Sequence, residues 1–162
     1  MKKATLGIFL LAGMVMAQAF TVFGQDDVTG YWKTGGIGMM QEKNTVTGAT
    51  KNNRGTLFSY KFAANGTYQF VGYMESTMYG CTTTLFNEIN GTYKVEGTTI
   101  TLNPSRDFWR NGNSCAPNST KTQTKTPTRK SLQFSHKTDE YGKLFICLSD
   151  AGTETCYRKE KE

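Results

Sequence analysis

The side chains that most often carry chemistry are few in this sequence and widely spaced. The only histidine, His136, lies in phase with the apolar residues Leu132 and Phe134, and no serine or cysteine nucleophile stands beside it. The carboxylates Glu88 and Asp107 could act as an acid–base pair only at a defined separation, which nothing in their spacing predicts. The chain contains no G-x-S-x-G, phosphate-loop or H-E-x-x-H motif. We therefore predict no catalytic residue, and the sequence leans against an enzyme.

The four cysteines are Cys81, Cys115, Cys147 and Cys156. They form no C-x-x-C pair, and the sequence contains only one histidine that could join them as a metal ligand. We therefore predict disulfides and neither a metal site nor a cofactor. Four cysteines allow three pairings. A two-residue turn at Ala151-Gly152 would place Cys147 opposite Cys156 at a non-hydrogen-bonded pair, where side chains lie closest. This favours Cys147–Cys156 together with Cys81–Cys115, and the sequence alone leaves the other two pairings open.

The first residues have the features of a secretory signal peptide. Met1-Lys2-Lys3 is a short basic region, an apolar stretch follows, and Ala17-Gln18-Ala19 supplies the small residues of a cleavage site. We predict a signal peptide at 1–19, with cleavage as late as residue 25 as the alternative, and one mature domain at 26–162. Such a leader predicts export from a bacterial cell, to the periplasm or the extracellular space.

Composition and charge exclude several kinds of partner. Loss of Lys2 and Lys3 with the signal leaves 17 basic against 13 acidic residues, a net charge of +4 that is too mild to indicate nucleic acid. The basic stretch at 118–130 lacks the aromatic side chains of a single-strand binding surface, so we predict a solvated loop there. Beyond the N-terminus no apolar run reaches the length of about 18 residues that suggests a membrane span. We therefore predict no transmembrane segment in the mature domain, which we expect to be a monomer.

The mature domain is predicted to be all-β. Short runs rich in Thr, Tyr, Phe, Val and Ile are separated by Gly and Asn, and their apolar residues alternate with a period of two. Regular spacing of this kind is typical of an antiparallel sandwich or barrel. The predicted strands are 28–33, 56–63, 67–75, 82–88, 90–95, 98–103, 130–137, 143–149 and 153–158.

Two further hairpins have a predicted register, because paired strands must place their apolar faces on the same side. A three-residue loop ending at Gly66 pairs Phe62 with Tyr68, and it continues the same face along both strands to Tyr60 and Phe70. A two-residue turn at Glu96-Gly97 would place Tyr93 opposite Ile100 and Gly91 opposite Leu102. Both registers join apolar residues to apolar residues.

Four motifs in order resemble the small bacterial lipocalin-like domains of the calycin group. They are Gly30-Tyr31-Trp32, then Phe62 to Tyr68 (F-x-x-x-G-T-Y), then Gly91 to Leu102 (G-x-Y-x-V-x-G-x-x-I-x-L), and finally Tyr157-Arg158. The resemblance covers about residues 28–159 and implies an up-and-down antiparallel β-barrel of about eight strands. It also implies that Trp32 packs at the closed end under a basic residue of the last strand, here Arg158, although strand parity places Arg158 on the outward face.

A barrel of eight strands is either filled by its own side chains or holds one small ligand. The inward residues could simply fill the core, or Tyr60, Tyr68 and Tyr93 could leave their hydroxyls around an apolar cup. The residues predicted to line the interior as a ligand site are Tyr60, Phe62, Tyr68, Phe70, Met74 and Tyr93.

Our first hypothesis is an exported, non-enzymatic lipocalin-like barrel that binds a small hydrophobic or amphipathic ligand. One alternative is a protein-interaction barrel with a filled core, such as a protease inhibitor. Phe108-Trp109-Arg110 would then be an exposed aromatic lip, or it would cap the core. A third possibility is a barrel isomerase or cyclase, which would need a buried polar cluster near His136.

Overall fold

The computed structural model of the chain describes residues 24–36 and 54–161. The predicted signal peptide at 1–19 lies outside the described residues. The described part is all-β apart from one helical turn, α1, and a short 3-10 turn at Pro117–Ser119. The elements are α1 (Gln25–Val28), β1 (Gly30–Gly36), β2 (Arg54–Phe62), β3 (Thr67–Met78), β4 (Cys81–Glu96), β5 (Thr99–Asn113), β6 (Lys121–Lys125), β7 (Lys130–Thr138), β8 (Leu144–Asp150) and β9 (Thr153–Glu160).

The strands of the described part form one antiparallel sheet that closes on itself. Their order is β4-β3-β2-β1-β9-β8-β7-β5, and β5 pairs back with β4 to complete a ring of eight strands. The ninth strand, β6, pairs with the far half of β5 beyond the point where β7 pairs with it. The prediction of an all-β antiparallel sheet of about eight strands is therefore confirmed.

Two of the three predicted registers are confirmed, and the third is wrong by two residues. Phe62 pairs with Tyr68, and Cys147 pairs with Cys156. Tyr93 pairs with Leu102 instead of Ile100, because the turn consists of Gly97 and Thr98. Gly97 has a φ of 57°, the left-handed conformation that a tight hairpin needs at its first turn residue. A shift of two residues preserves the face on which each side chain lies, so the apolar residues still point inward.

The region from residue 82 to residue 125 contains longer strands, and one more strand, than predicted. Segments 82–88 and 90–95 form the single strand β4, and β5 continues past residue 103 to Asn113. The stretch at 118–130, predicted as a solvated loop, contributes strand β6, whose five residues are all exposed. Backbone hydrogen bonds to β5 need no apolar side chains, which is why hydrophobic alternation did not reveal this strand.

One end of the ring is filled by large buried side chains, which we call the floor: Trp32, Phe62, Tyr93, Ile100 and Ile146. Each of the five is at most 2% exposed. The indole Nε1 of Trp32 donates a hydrogen bond of 2.7 Å to the carbonyl oxygen of Val28 at the end of α1. This contact fixes α1 against the floor and satisfies a polar group that would otherwise be buried without a partner.

A β-bulge in β5 decides which residues of its second half face the interior. Gly91 pairs with Pro104 but Asn90 pairs with Arg106, so Ser105 is an extra residue on β5. Because side chains alternate along a strand, one extra residue exchanges the inward and outward positions beyond it. The bulge also brings the two backbones close together: a Cβ on Gly91 would lie 2.3 Å from the carbonyl oxygen of Asn103. Glycine is therefore required at residue 91.

Two disulfides tie the ring together with the pairing that the hairpin register favoured. Cys81 and Cys115 join the start of β4 to the segment after β5. Cys147 and Cys156 join β8 to β9 across the last hairpin. By strand alternation the second disulfide lies on the opposite face of β8 from Ile146, outside the main apolar cluster.

Candidate functional site

Beyond the floor, the interior of the ring is open. The inner cavity, of about 320 Å³, is lined by Tyr60, Tyr68, Phe70, Asn87, Ile89, Leu102, Pro104, Asp107, Trp109, Thr128 and Lys130. The rim cavity, of about 490 Å³, shares Tyr60, Phe70 and Lys130 with it and extends to the β8–β9 turn at Ala151. These volumes are in the range of small-molecule sites in proteins. The described ring is thus filled at one end and hollow toward the other.

Aromatic side chains from neighbouring strands form the wall between the two cavities. The Tyr60 and Phe70 rings lie with their centroids 4.8 Å apart, and the Tyr157 ring meets Tyr60 edge to face at 5.3 Å. The confirmed pairing of Tyr60 with Phe70 across β2 and β3 places these rings on the same inward face. The arrangement presents flat apolar surface to anything that enters the ring.

The wall also carries phenol groups that burial keeps neutral. Burial raises the pKa of Tyr68 to about 12, with the nearby Asp107 carboxylate adding to the effect. Burial likewise raises the pKa of Tyr157 to about 12 and holds that of Tyr60 well above its usual value. Within the described residues, no hydrogen bond uses the hydroxyls of Tyr60, Tyr68 or Tyr157. These three phenols are therefore protonated at neutral pH and available as donors to a bound molecule.

Asp107 is the carboxylate of the inner cavity, and its position is fixed by Asn87. The Asn87 side chain is buried and donates hydrogen bonds to Asp107 Oδ1 at 2.8 Å and to the carbonyl oxygen of Phe108 at 3.1 Å. At the boundary with the rim cavity, Lys130 Nζ lies 3.3 Å from Asp150 Oδ2. Both of these side chains are more than half exposed, so solvent screens their ion pair.

Trp109 lines the inner cavity because of the bulge at Ser105. The tripeptide Phe108-Trp109-Arg110, predicted as a loop, is part of β5, and only its central residue faces inward. The ammonium group of Lys125 on β6 lies 3.9 Å from the centroid of the Trp109 ring. The indole Nε1 is buried and has no hydrogen-bond partner in the described part of the chain. Trp109 is thus a wall residue with one unsatisfied donor.

Three of the six residues predicted to line a ligand site border the inner cavity. Tyr60, Tyr68 and Phe70 line the inner cavity, whereas Phe62 and Tyr93 belong to the floor. The Tyr93 hydroxyl is used within the protein: it donates to the carbonyl oxygen of Ala63 at 3.0 Å. Met74 is 44% exposed and borders neither of the two cavities. The prediction of a Tyr93 hydroxyl facing a ligand is therefore wrong.

The sequence reasoning missed the polar half of the site and Tyr157 as a wall residue. Asn87, Asp107 and Trp109 face inward because of the bulge and the continued β4–β5 pairing, and no apolar alternation marks them. Lys130 was assigned to a strand but not to the interior. A search for the residue that interrupts the β4–β5 register would have been needed to place Asp107 correctly.

The basic residue over Trp32 is Lys159, and the expectation of Arg158 is wrong. Lys159 Nζ lies 5.1 Å from the centroid of the Trp32 ring, and the two residues pair directly across β1 and β9. Arg158 points to the outer face, where its Nε donates to Glu160 Oε1 at 2.8 Å. Alternation along β9 explains the exchange, since neighbouring residues lie on opposite faces of a strand.

The other groups considered for chemistry do not form a reactive site. Glu88 lies on the outer face, where its Oε1 accepts a hydrogen bond of 2.9 Å from Gln69, while Asp107 faces the cavity. His136 packs between the rings of Trp32 and Phe134, at centroid distances of 5.8 and 5.7 Å. The wall of β4 and β5 therefore separates the two carboxylates, and the histidine is a packing residue at the floor.

The one group of described residues with the composition of a metal site is Cys147, Glu154 and Cys156. Its two sulfur atoms are joined in a disulfide and do not provide thiolate ligands. None of the helices in the described ranges has the length and apolarity needed to cross a bilayer. Comparison with protein-family models, with curated proteins and with solved structures finds no match. The inner cavity is thus the feature that carries the functional proposal.

Proposed function

We propose that the protein is an exported, lipocalin-like barrel that binds one small apolar or amphipathic molecule in the inner cavity without transforming it. The observation that carries this proposal is an aromatic-walled cavity above a filled floor. The floor supplies rigidity, while Tyr60, Tyr68 and Phe70 supply apolar surface with phenol donors at its edge. Such a site, mostly apolar with a few fixed polar groups, is typical of small-molecule binding.

Export is the part of the proposal that the cysteines support. Both disulfides of the structure persist in oxidising compartments such as the periplasm and are rare in the bacterial cytosol. The signal-like leader at 1–19 points to the same destination. The ordered motifs from Gly30 to Arg158 support the lipocalin-like type of the ring, which we propose acts as a monomer.

A protein-interaction role is the second candidate, and one specific feature favours it. The outer patch consists of Phe86, Phe108, Arg106 and Arg110 on the outward face of β4 and β5. The two phenylalanine rings meet edge to face at 6.3 Å, and each has an arginine within 5.6 Å of its centroid. Aromatic residues and arginine are enriched at protein interfaces. No comparable observation favours an isomerase or cyclase, because the surroundings of His136 are aromatic.

A cavity-blocking variant with a matched control separates the two candidates. Ile89 on β4 lines the inner cavity. Val71 on β3 belongs to the next residue pair of the same two strands, and its side chain lies on the outer face. The probe is N-phenyl-1-naphthylamine, a neutral apolar dye whose fluorescence rises when it leaves water. We expect saturable binding of one dye by the wild type and by Val71→Trp. Binding by Ile89→Trp should be at least about tenfold weaker, because overpacking costs about 1–3 kcal/mol and about 1.4 kcal/mol corresponds to a factor of ten.

The opposite pattern would reject the cavity as the binding site. Equal dye binding by Ile89→Trp and the wild type would mean that the dye binds elsewhere. Loss of binding in Val71→Trp alone would point to the outer surface and favour the interaction role. Urea unfolding of both variants serves as the control for folding.

A further inference from the structure

We infer that the ligand of the inner cavity is an organic cation, an amine or quaternary ammonium with an apolar body, whose charge lies beside Asp107 among the aromatic rings. This inference rests on the proposed function and specifies the chemical class of its ligand. Three features carry it: the ion pairing of the charged residues at the cavity, the aromatic surface around the Asp107 carboxylate, and the bulge that turns Asp107 inward and the neighbouring arginines outward.

The charge balance of the lining leaves one carboxylate without a cation. Lys130 and Asp150 form an ion pair with each other at the boundary between the two cavities. Asp107 accepts a hydrogen bond from Asn87, which is neutral. Lys125 lies opposite Asp107 across β5 and β6, but its ammonium group rests on the Trp109 ring, and no cation of the described residues forms an ion pair with Asp107. A cationic ligand would therefore complete an electrostatic pair that the protein itself does not make. Such a pair is stronger in a partly enclosed cavity than in water.

The aromatic wall provides a second attraction of the same sign. Tyr60, Tyr68 and Trp109 line the cavity that contains Asp107, and the faces of aromatic rings attract cations. Trp109 already has one cation against it, the ammonium group of Lys125 at 3.9 Å. Burial is the main reason why the pKa values of Tyr68 and Tyr60 are raised, and the charges of Asp107 and Asp150 respectively add to it.

The bulge at Ser105 determines that Asp107, and neither Arg106 nor Arg110, faces the cavity. If β5 continued without a bulge, with Ser105 paired to Asn90, Arg106 and Arg110 would face inward and Asp107 outward, and the same ring would suit an anion. With the bulge, both arginines stack on phenylalanine rings of the outer patch. The remaining basic residue of the lining, Lys130, is exposed and already paired, so it is a weak receptor for an anionic headgroup.

Three probes with the same eight-carbon chain test the inference: octyltrimethylammonium, octan-1-ol and octanoate. Their affinities are measured by displacement of N-phenyl-1-naphthylamine and by calorimetry, below the concentrations at which the probes form micelles. In the wild type we expect the ammonium probe to bind about tenfold more tightly than octanol, and octanoate to bind more weakly than either. Added salt should weaken binding of the ammonium probe and leave that of octanol unchanged.

Asp107→Asn is the matched substitution, because an amide oxygen can still accept the hydrogen bond from Asn87. It should reduce the preference for the ammonium probe over octanol to less than about threefold. The control is Glu88→Gln on the outer face, which should keep the wild-type preference. If Asp107→Asn folds poorly, the wild-type ranking and its salt dependence still decide the question.

The outcomes distinguish this inference from the proposed function. Equal wild-type affinities for octanol and the ammonium probe, or an unchanged preference in Asp107→Asn, would overturn the cationic ligand and leave the binding function standing. Tighter binding of octanoate would overturn it in favour of an anion near Lys130. If the dye binds but no probe displaces it, the cationic ligand is overturned. If neither the dye nor any probe binds saturably, the proposed function itself fails.

Discussion

Gly91→Ala is the substitution that tests the β-bulge most directly. Gly91 lies at the register shift between β4 and β5, where the backbones of the two strands approach closely. A Cβ at this position would lie 2.3 Å from the carbonyl oxygen of Asn103 and 2.6 Å from Cα of Pro104. Both contacts are with backbone atoms, so no side-chain rotation relieves them. The strands must separate locally by about 1 Å to restore ordinary contact distances.

The size of the effect follows from these contacts. Overpacking of a closely packed site costs about 1–3 kcal/mol, and a clash with two backbone atoms belongs at the upper end of that range. Replacing glycine also lowers the entropy of the unfolded chain, which offsets about 0.4–1 kcal/mol. We therefore expect the free energy of unfolding to fall by about 2 kcal/mol, equivalent to a decrease in melting temperature of roughly 5–10 °C for a domain of this size.

Equilibrium unfolding in urea, followed by fluorescence of the two tryptophans, measures this loss. Gly112→Ala on the partner strand β5 is the control: its Cβ would lie 3.3 Å from the side-chain hydroxyl of Thr84 and close to no backbone atom. We expect that variant to remain within about 0.5 kcal/mol of the wild type, as surface substitutions usually do. If Gly91→Ala is as stable as Gly112→Ala, the close approach at the bulge is wrong, and so is the inward position of Asp107 that depends on it.

Three further predictions concern the Cys81–Cys115 disulfide, the wall residue Trp109 and the phenol of Tyr68. Replacing Cys81 and Cys115 by alanine opens a loop with a sequence separation of 34 residues, and chain entropy predicts a loss of about 4 kcal/mol in urea unfolding; a loss below about 1 kcal/mol would contradict that account. Trp109→Phe removes a buried indole N–H that has no partner among the described residues, so unfolding should occur at the same or a higher urea concentration, and a loss above about 1.5 kcal/mol would show that the donor is satisfied. The raised pKa of Tyr68, about 12 against a usual 10.0, stabilises the folded state fully below pH 10 and progressively less up to pH 12. Stability should therefore fall less steeply with pH in Tyr68→Phe than in the wild type across that window, and equal slopes would refute the shift.

Hairpin registers were predictable where two constraints coincided. Phe62 and Tyr68 were paired correctly because the apolar parity of both strands agreed with the left-handed glycine at residue 66. The pairing of Tyr93 failed because two turn positions around Gly97 preserve the same parity. Parity alone does not distinguish registers that differ by two residues. Only the backbone conformation of the turn decides between them.

Strand β6 and the bulge lay beyond what hydrophobic alternation could reveal. The residues of β6 (Lys-Thr-Gln-Thr-Lys) are all polar and exposed, so their strand conformation depends on backbone pairing with β5. Nothing in the chemistry of Ser105 marks it as a bulge residue. It shifts the register because it has no partner on β4. A one-residue insertion in a register is a property of two strands together, which a single segment does not record.

The candidate site was therefore predicted in its aromatic half and missed in its polar half. Tyr60, Tyr68 and Phe70 follow from the register of the β2–β3 hairpin. Asp107 and Trp109 follow from the bulge, and they add a carboxylate and an indole to the apolar cup that was predicted. Alternation of side chains along β9 accounts for Lys159, which lies over Trp32 where the resemblance implied Arg158.

Backbone amide NMR during titration with N-phenyl-1-naphthylamine tests most directly whether the inner cavity is the binding site. We predict that the largest shifts fall on inward residues of the cavity wall, Phe70, Ile89 and Leu102, and that they saturate at one dye per chain. Shifts confined to the outer patch around Phe86 and Phe108, or no saturable shifts at all, would contradict a ligand-binding cavity.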